Sequence, residues 1–535
     1  MKRILYTLTC LLLSIGAWAQ NVAKIGTQEY ATLADAVAAV PTDGSETTIT
    51  MLENVDLGTA YITIPATKNV VLELNGKTIT SSAKSYGTLK VAGKVIINGE
   101  GTVQSTTKYA IQTTANTADV VLNGATLEST TNSAVSASKG TFTMNSGTVS
   151  ASSQAIEGAA VIKGGTVTST NGYGVYANSS SAECVIEGGS ITGAASKGAV
   201  GVYSGNVKVT SEATLNSKIV FASNATGLIL PETAATHIDN ATANLAVYDD
   251  ETLLGYATAY TTGTIASGKT VKVIADINTS NYMNIAAIKL DLNGHNITST
   301  AQAAIVIQGS SVALTRNVTI TGEGNVSCSN ASGCNAVQIG KHANVTIEGG
   351  NYSVPDDNAA IYIASSVATN PSTVTITGGY FESSDGKWIV NCNDNAYKNG
   401  GANIVIKGGS FSADPSQFLS EGEGTNFLDI EYKPVLDSEG HYSVIVRDFI
   451  AQVGDVKFES LAEAITAAQN DETITLIADA TENIIDLNEE FIQSSPMKEI
   501  QKFLNLEDDS LPNNSIENTK ASIHIRLNFG FFFSC

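Results

Sequence analysis

Positive charge is scarce in this chain. Its 29 Lys and Arg stand against 51 Asp and Glu, a formal charge of −22. Beyond Arg3 the only guanidinium groups belong to Arg316, Arg447 and Arg526. That balance disfavours nucleic acid, anionic membrane and polyanionic substrates as partners. Aromatic residues make up 6% and there are only 9 Pro, so a wide globular core built on large rings is not expected. The six cysteines include no Cys-x-x-Cys pair, which excludes a zinc knuckle. There is no His-Glu-x-x-His, no Gly-x-Ser-x-Gly elbow with a plausible triad, and no Gly-Gly followed by the Lys-Ser/Thr of a phosphate loop. After the first twenty residues no stretch approaches the ~20 consecutive apolar residues of a membrane-spanning helix.

The N-terminus sets the compartment. Lys2 and Arg3 form a basic segment, Ile4 to Gly16 is largely apolar, and Ala17-Trp18-Ala19 supplies the small-x-small cleavage pattern. Residues 1–19 read as a signal peptide, since the apolar part is too short for a permanent span. Thr7-Leu8-Thr9 ahead of Cys10 fits a lipobox poorly. Removing Lys2 and Arg3 takes the charge from −22 to −24. The mature chain is expected outside the cell or on the outer surface of a bacterium.

The strongest positive signal is self-similarity. A β-branched strand, a glycine turn and a second short strand recur at 95–103, 120–127, 142–149, 161–167 and 185–191. The turn glycines Gly101, Gly124, Gly147, Gly165 and Gly189 step by 23, 23, 18 and 24 residues. A second series has Gly324, Gly350, Gly379 and Gly409, stepping by 26, 29 and 30, which implies loops growing on one side of a coil. A strand of four to six residues cannot bury its face alone. Stacked at about 4.8 Å, successive copies pair their backbones and form inward ladders of Val, Ile and Leu. Asn-Gly and Gly-Gly suit bends that need positive φ. The expected fold is all-β: a right-handed parallel β-helix solenoid with a short N-terminal capping helix.

A longer period overlies the repeats. Leu72-Glu-Leu-Asn-Gly-Lys-Thr-Ile-Thr80 and Leu290-Asp-Leu-Asn-Gly-His-Asn-Ile-Thr298 are near copies. Residues 30–40 and 458–468 are likewise related, and Thr32/Asp35 and Ser460/Glu463 have capping-box spacing before alanine-rich turns. Each predicts a short helix covering the open apolar end of a coil. In 245–277 the same place holds Gly255 and Thr/Tyr instead. The expected organisation is module 1 over 20–240, module 2 over 241–447 and the start of a third over 448–480. The remainder, 481–535, lacks the glycine turns and reads as a truncated or disordered tail, with a docking tail as the alternative.

The segment Gly408-Gly409-Ser-Phe411-Ser-Ala-Asp414-Pro415-Ser-Gln-Phe418, running through Glu421-Gly422 to Tyr442-Ser-Val444, resembles right-handed β-helix proteins of the pectate-lyase-like superfamily. It looks in particular like repetitive bacterial surface proteins, in which such a segment closes a coil before a small β ending. The resemblance spans most of 21–480 and implies architecture and location more than activity. Hydrolases of that kind carry Asn-Thr-Asp, Asp-Asp, Gly-His-Gly and Arg-Ile-Lys in that order. Here Asp356-Asp357 stands without the others, and His295 lies on the wrong side of it.

Further candidates are few. Asp385, Asp394 and the 391–395 stretch offer oxygen ligands for calcium, against the plainer reading as a loop; no other cofactor is expected. Cys328 and Cys334 bracket a short turn and are a candidate disulfide in an oxidising compartment. Rings gather in module 2. Tyr352, Phe381 and Phe411 hold equivalent repeat positions and read as one packing ladder, whereas Trp388 and Tyr397 lie off it and are the candidate ligand-binding rings. The leading functional expectation is a non-catalytic surface protein for adhesion or carbohydrate binding, with an extracellular glycan or a host or neighbouring surface protein as partner. A polysaccharide lyase or glycoside hydrolase and a structural stalk are the alternatives.

Overall fold

The computed structural model describes residues 20–222, 227, 229–231, 242–259, 262, 265–330, 333–355, 358–384, 388–418, 420, 425–469, 472–478 and 524–526. The expected signal peptide, Cys10, Asp356-Asp357, Asp385, Glu421-Gly422, Cys535 and all of the tail except 524–526 lie outside them. The chain divides into two compact units, Met1–Val405 with Gly409–Asn426, and Ile406–Gly408 with Phe427–Cys535. The protein is mostly β with few helices, and its strands run from two residues to the 17 of Val135–Ala151.

In the first unit each repeat contributes a strand to three rows, and every row pairs in parallel with the next repeat. Row A of module 1 runs through Ile49, Leu72, Ile97, Leu122, Met144, Ile162 and Ile186 in register. Row B runs through Ile79, Val103, Leu127, Val149, Val167 and Ile191. Row C runs through Ile62, Leu89, Ile111, Val135, Ile156, Val175, Val200 and Ile219. All of these are buried and belong to one continuous core. Fully burying each contributes about 1.5–3 kcal/mol, more than one strand could gain alone.

Module 2 repeats the plan, with row B passing Ile277, Ile297, Val326, Tyr352, Phe381 and Phe411. After five residues at 292–296, its A-to-B turns stay at three, in 322–324, 348–350 and 377–379, while C-to-A connections range from three (340–342) to nine (393–401). B-to-C connections also lengthen, from three (300–302) to six (329–334). Growth therefore occurs at two corners, not on one side as the glycine spacing suggested. The A-to-B corner is fixed because its glycine stacks on the corner below. A Cβ on Gly379 would lie 2.8 Å from Gly350 O, at a φ of +98°. At Gly124 the sequence alignment is one residue out: Thr102 pairs with Thr126, and the register slips around Asn123.

Asparagines beside these corners form amide ladders that the sequence reading took only for turn formers. Asn123 Nδ2 donates to Asn98 Oδ1 and Asn145 Nδ2 to Asn123 Oδ1, each at 2.9 Å. Module 2 repeats the device with Asn325 to Asn296 at 2.8 Å and Asn351 to Asn325 at 3.1 Å. An amide carries both donor and acceptor, so one residue type can propagate the chain of bonds.

Each module opens with a β-hairpin whose first strand also pairs antiparallel with the first row A strand. The hairpins are Ala23–Ile25 with Gln28–Tyr30, Leu245–Asp249 with Thr252–Ala257, and, in the second unit, Ala451–Val453 with Val456–Phe458. Helices α1 (Leu33–Ala39) and α3 (Leu461–Ala467) follow the first and third. Their caps are those expected, Thr32 accepting from Asp35 N and Ser460 from Glu463 N. Helix α1 buries Leu33, Ala36 and Val37. Its C-terminal carbonyls, Val37 O and Ala38 O, each accept at 2.7 Å from the buried Lys68 ammonium, which complements the negative helix end.

In the second unit the hairpin Tyr432–Leu436 with Tyr442–Val446 precedes the third opening hairpin. Glu459 accepts from Arg447 Nη1 at 3.0 Å and from Lys433, while Lys457 donates to Glu431 at 2.9 Å. Arg447 Nε also donates to Tyr432 O, so one guanidinium ties the two hairpins together.

Candidate functional site

Row C of module 1 points one side chain per repeat outward, because strand residues alternate between faces. Lys90, Gln112, Glu157 and Tyr176 occupy these positions, in register with Ser136, which is buried, and with Gly201. The B-to-C corner adds a second line two residues before each strand's inward residue, holding Tyr109, Ser133, Gln154 and Tyr173.

Where the lines reach Tyr173 and Tyr176, the corners of successive repeats enclose a cleft of about 560 Å³. Its walls are Ser152, Ser153 and Gln154 from one corner, Asn171, Gly172 and Tyr173 from the next, and Tyr176, Lys197 and Ala222 beyond. Residues 70 apart in sequence meet here only because the repeats stack. The Tyr173 and Tyr176 rings are stacked, 5.2 Å between centroids with planes 5° apart, and Tyr203 continues the cluster 6.2 Å from Tyr176.

The placement of Tyr173 depends on an absent side chain. A Cβ on Gly201 would lie 2.7 Å from Tyr173 Cγ, so the ring occupies the space above that glycine. The polar wall is equally fixed. Ser133 and Ser153 hydroxyls both donate to Gln154 Oε1, which leaves the amide Nε2 donors on its opposite edge. Asn171 Nδ2 donates to Ser152 Oγ at 3.3 Å. The one Ser133 proton is shared between Gln154 Oε1 and Glu157 Oε2, 3.3 and 3.2 Å away. Burial raises the pKa of Tyr173 and, together with the neighbouring tyrosines and Glu157, that of Tyr176. Tyr109 is raised likewise by burial and then by the Glu157 charge. The phenols therefore keep their O–H donors through neutral pH. Flat apolar faces rimmed by hydroxyl and amide groups match a sugar ring, with its C–H face and hydroxyl edge.

The sequence candidates lie elsewhere. Trp388 is half-buried just before Val390–Cys392, and Tyr397 is 43% exposed on helix α2 (Asp394–Lys398). The 391–395 stretch, read as a loop, opens that helix: Asn393 caps it, and Asp394 pairs with Lys398 at 3.8 Å. Asn391 Oδ1 accepts from Ser420 Oγ at 2.6 Å. These oxygens serve local structure, and among the described residues no three His, Cys, Asp or Glu side chains are grouped to hold a metal.

Tyr352, Phe381 and Phe411 do form an interior stack, with centroids 4.9 and 5.0 Å apart, as expected. Cys328 and Cys334 are buried free thiols. Cys328 donates to Ala301 O at 3.0 Å, and burial, followed by the adjoining Cys328, pushes the Cys334 thiol up to about 12. Searches of protein-family models, of curated proteins and of solved structures each found nothing that matches this chain.

Proposed function

We propose that this chain is an exported right-handed parallel β-helix, of the pectate-lyase-like kind, that binds saccharide without transforming it and so serves adhesion at a bacterial surface. Support for the coil comes from the three rows, which pair in parallel repeat after repeat. Export rests on the basic, apolar and small-x-small segments of residues 1–19. The observation that carries the binding reading is the cleft in which stacked Tyr173 and Tyr176 face a wall of serine, asparagine and glutamine. Glycoside hydrolysis calls for two carboxyl groups across the scissile bond, and of the cleft-lining residues none is acidic.

A glycan array probed with the mature protein tests this reading, followed by titration calorimetry on the glycans retained. Tyr173→Ala is expected to weaken binding by about ten-fold or more, from the loss of an aromatic contact. Gly201→Ala should do the same by displacing the ring, its backbone φ being one that alanine adopts freely. Trp388→Ala and Tyr397→Ala should bind as the parent does. Unchanged binding by both Tyr173→Ala and Gly201→Ala would remove the cleft from consideration. Release of reducing ends or unsaturated uronate from any polysaccharide would make the protein an enzyme.

A further inference from the structure

Row B ends in most repeats on a hydroxyl. Ser81, Ser105 and Ser129 hold this place in module 1, and Thr279, Ser299 and Cys328 in module 2, each in register with the next. The hydroxyl has two partners. It donates to a carbonyl of the preceding corner, as Ser81 does to Ala60 O and Ser129 to Lys108 O at 2.6 Å, and Ser299 to Asn281 O at 3.1 Å. It accepts from the amide two residues on, as from Ala83 N and Ala301 N, each at 3.0 Å. At Cys328 these two bonds are split between two sulfurs. Cys328 Sγ donates to Ala301 O at 3.0 Å, whereas the amide two residues on, Asn330 N, donates to Cys334 Sγ. The Cys334 thiol is in turn hydrogen-bonded to Cys328, and the two are only 2% and 4% exposed. Sulfur is the weaker partner in each bond, and one serine meets both elsewhere, so the packing gives no reason for it. What two adjoining sulfurs add is the capacity for a covalent bond.

We infer that Cys328 and Cys334 are an oxidation site, closed to an intrachain disulfide when the chain enters an oxidising compartment. The bond ties the end of strand Asn325–Cys328 in row B to the residue before strand Asn335–Ile339 in row C. It forms by exchange with a disulfide of the compartment. One cysteine thiolate attacks, the other displaces the mixed disulfide, and the oxidant leaves as two thiols carrying the two electrons and two protons. Folding sets the order of events. Burial, followed by the adjoining Cys328, pushes the Cys334 thiol up to about 12, so the folded coil holds almost no thiolate there and gives an oxidant little access. Exchange therefore precedes closure of the coil, and the closed coil then shields the bond from reductant. Cys184 and Cys392 lie in other strands, beside Val207 and Ile363 in the register, and stay thiols. The inference is independent of whether the cleft binds a saccharide.

The test takes the mature full-length protein exported into an oxidising compartment, denatures it with iodoacetamide present and digests it with trypsin. Residues 317–341, bounded by Arg316 and Lys341, form one peptide that holds both cysteines. It should be found unalkylated and about 2 Da lighter than the dithiol, and should take up two alkyl groups only after reduction. Peptides holding Cys184 and Cys392 should be alkylated from the start. Protein made in a reducing cytosol should carry both thiols free and melt about 5 °C below the oxidised form. Cys328→Ser restores the hydroxyl of the neighbouring repeats, so this variant should fold and melt alike from either source. Cys334→Ala is the second variant for the same comparison. Alkylation of Cys328 and Cys334 in the exported protein, a cross-link of either to Cys184 or Cys392, or equal melting of the oxidised and reduced forms would overturn the inference.

Discussion

Modules 1 and 2 share the three-row plan and differ in where they put their rings. In module 2, Tyr352, Phe381 and Phe411 stack inside row B, all fully buried, and Phe418 closes the stack at 5.9 Å. In module 1 the row interiors are almost entirely aliphatic, and Tyr61, Tyr86, Tyr109, Tyr173, Tyr176 and Tyr203 lie at corners or on outward positions. The fold therefore tolerates a ring on either face, and what differs is the parity of its position along the strand. Inward rings add buried area to a narrow core, and the module holding them also has the longer corners. Outward rings leave the core unchanged and give the surface a chemistry that Thr, Ser and Asn alone would not.

Replacements on the two faces are expected to separate sharply. Phe381→Ala removes the middle of the interior stack and should cost about 3–5 kcal/mol of unfolding free energy in chemical denaturation. Tyr176→Ala on the outer face should stay within about 0.5 kcal/mol. Comparable losses from the two would erase the distinction between the modules.

The fixed corner offers a comparison in which the modules should agree. Gly147→Ala and Gly379→Ala would bring a Cβ to 2.3 Å from Ala125 O and 2.8 Å from Gly350 O, both at positive φ. Each should lower stability by about 1–3 kcal/mol, read as a fall in melting temperature. The caps at Thr32 and Ser460 carry less: alanine at either should cost about 1 kcal/mol of local stability, visible as faster amide exchange in α1 or α3. A last effect belongs to alkaline solution. Burial pushes the Cys184 thiol from 9.0 up to about 12, so between those values the folded protein holds a proton that the unfolded chain has released. Stability should then fall as pH rises from about 9, and Cys184→Ala should show a shallower fall across that window in pH-dependent denaturation.

Much of the row structure was legible from residues. Alternation of β-branched and polar residues marks a half-buried strand, and a glycine at each corner marks a bend of positive φ, as observed at Gly147, Gly165 and Gly189. The capping pairs Thr32/Asp35 and Ser460/Glu463 gave both helices. Helix α2 escaped, because five residues are too few to show a helical period and its Asn393 cap reads equally as a turn. The cleft lies in the other module from the sequence candidates Trp388 and Tyr397. Rings were weighed by their density along the chain, which favours 352–411, whereas the cleft assembles Gln154, Tyr173 and Lys197 from three corners. Locating it requires the register across repeats of unequal length, down to a one-residue slip such as that beside Asn123, and no single-strand pattern supplies it.

The opening hairpins carry one more implication. Where module 1 gives way to module 2, Ile229 of the last row A strand pairs antiparallel with Tyr256 of the hairpin, whose partner strand then pairs antiparallel with Thr270–Val273. Strand direction reverses three times along this path, and main-chain bonding of row A passes across the boundary. Such a hairpin acts as an adaptor between blocks of repeats. A block of repeats that begins with such a hairpin can be joined at row A in the same way, so tandem duplication would change the number of blocks in one step, and the number of copies becomes a property that selection can set independently of how any one block folds.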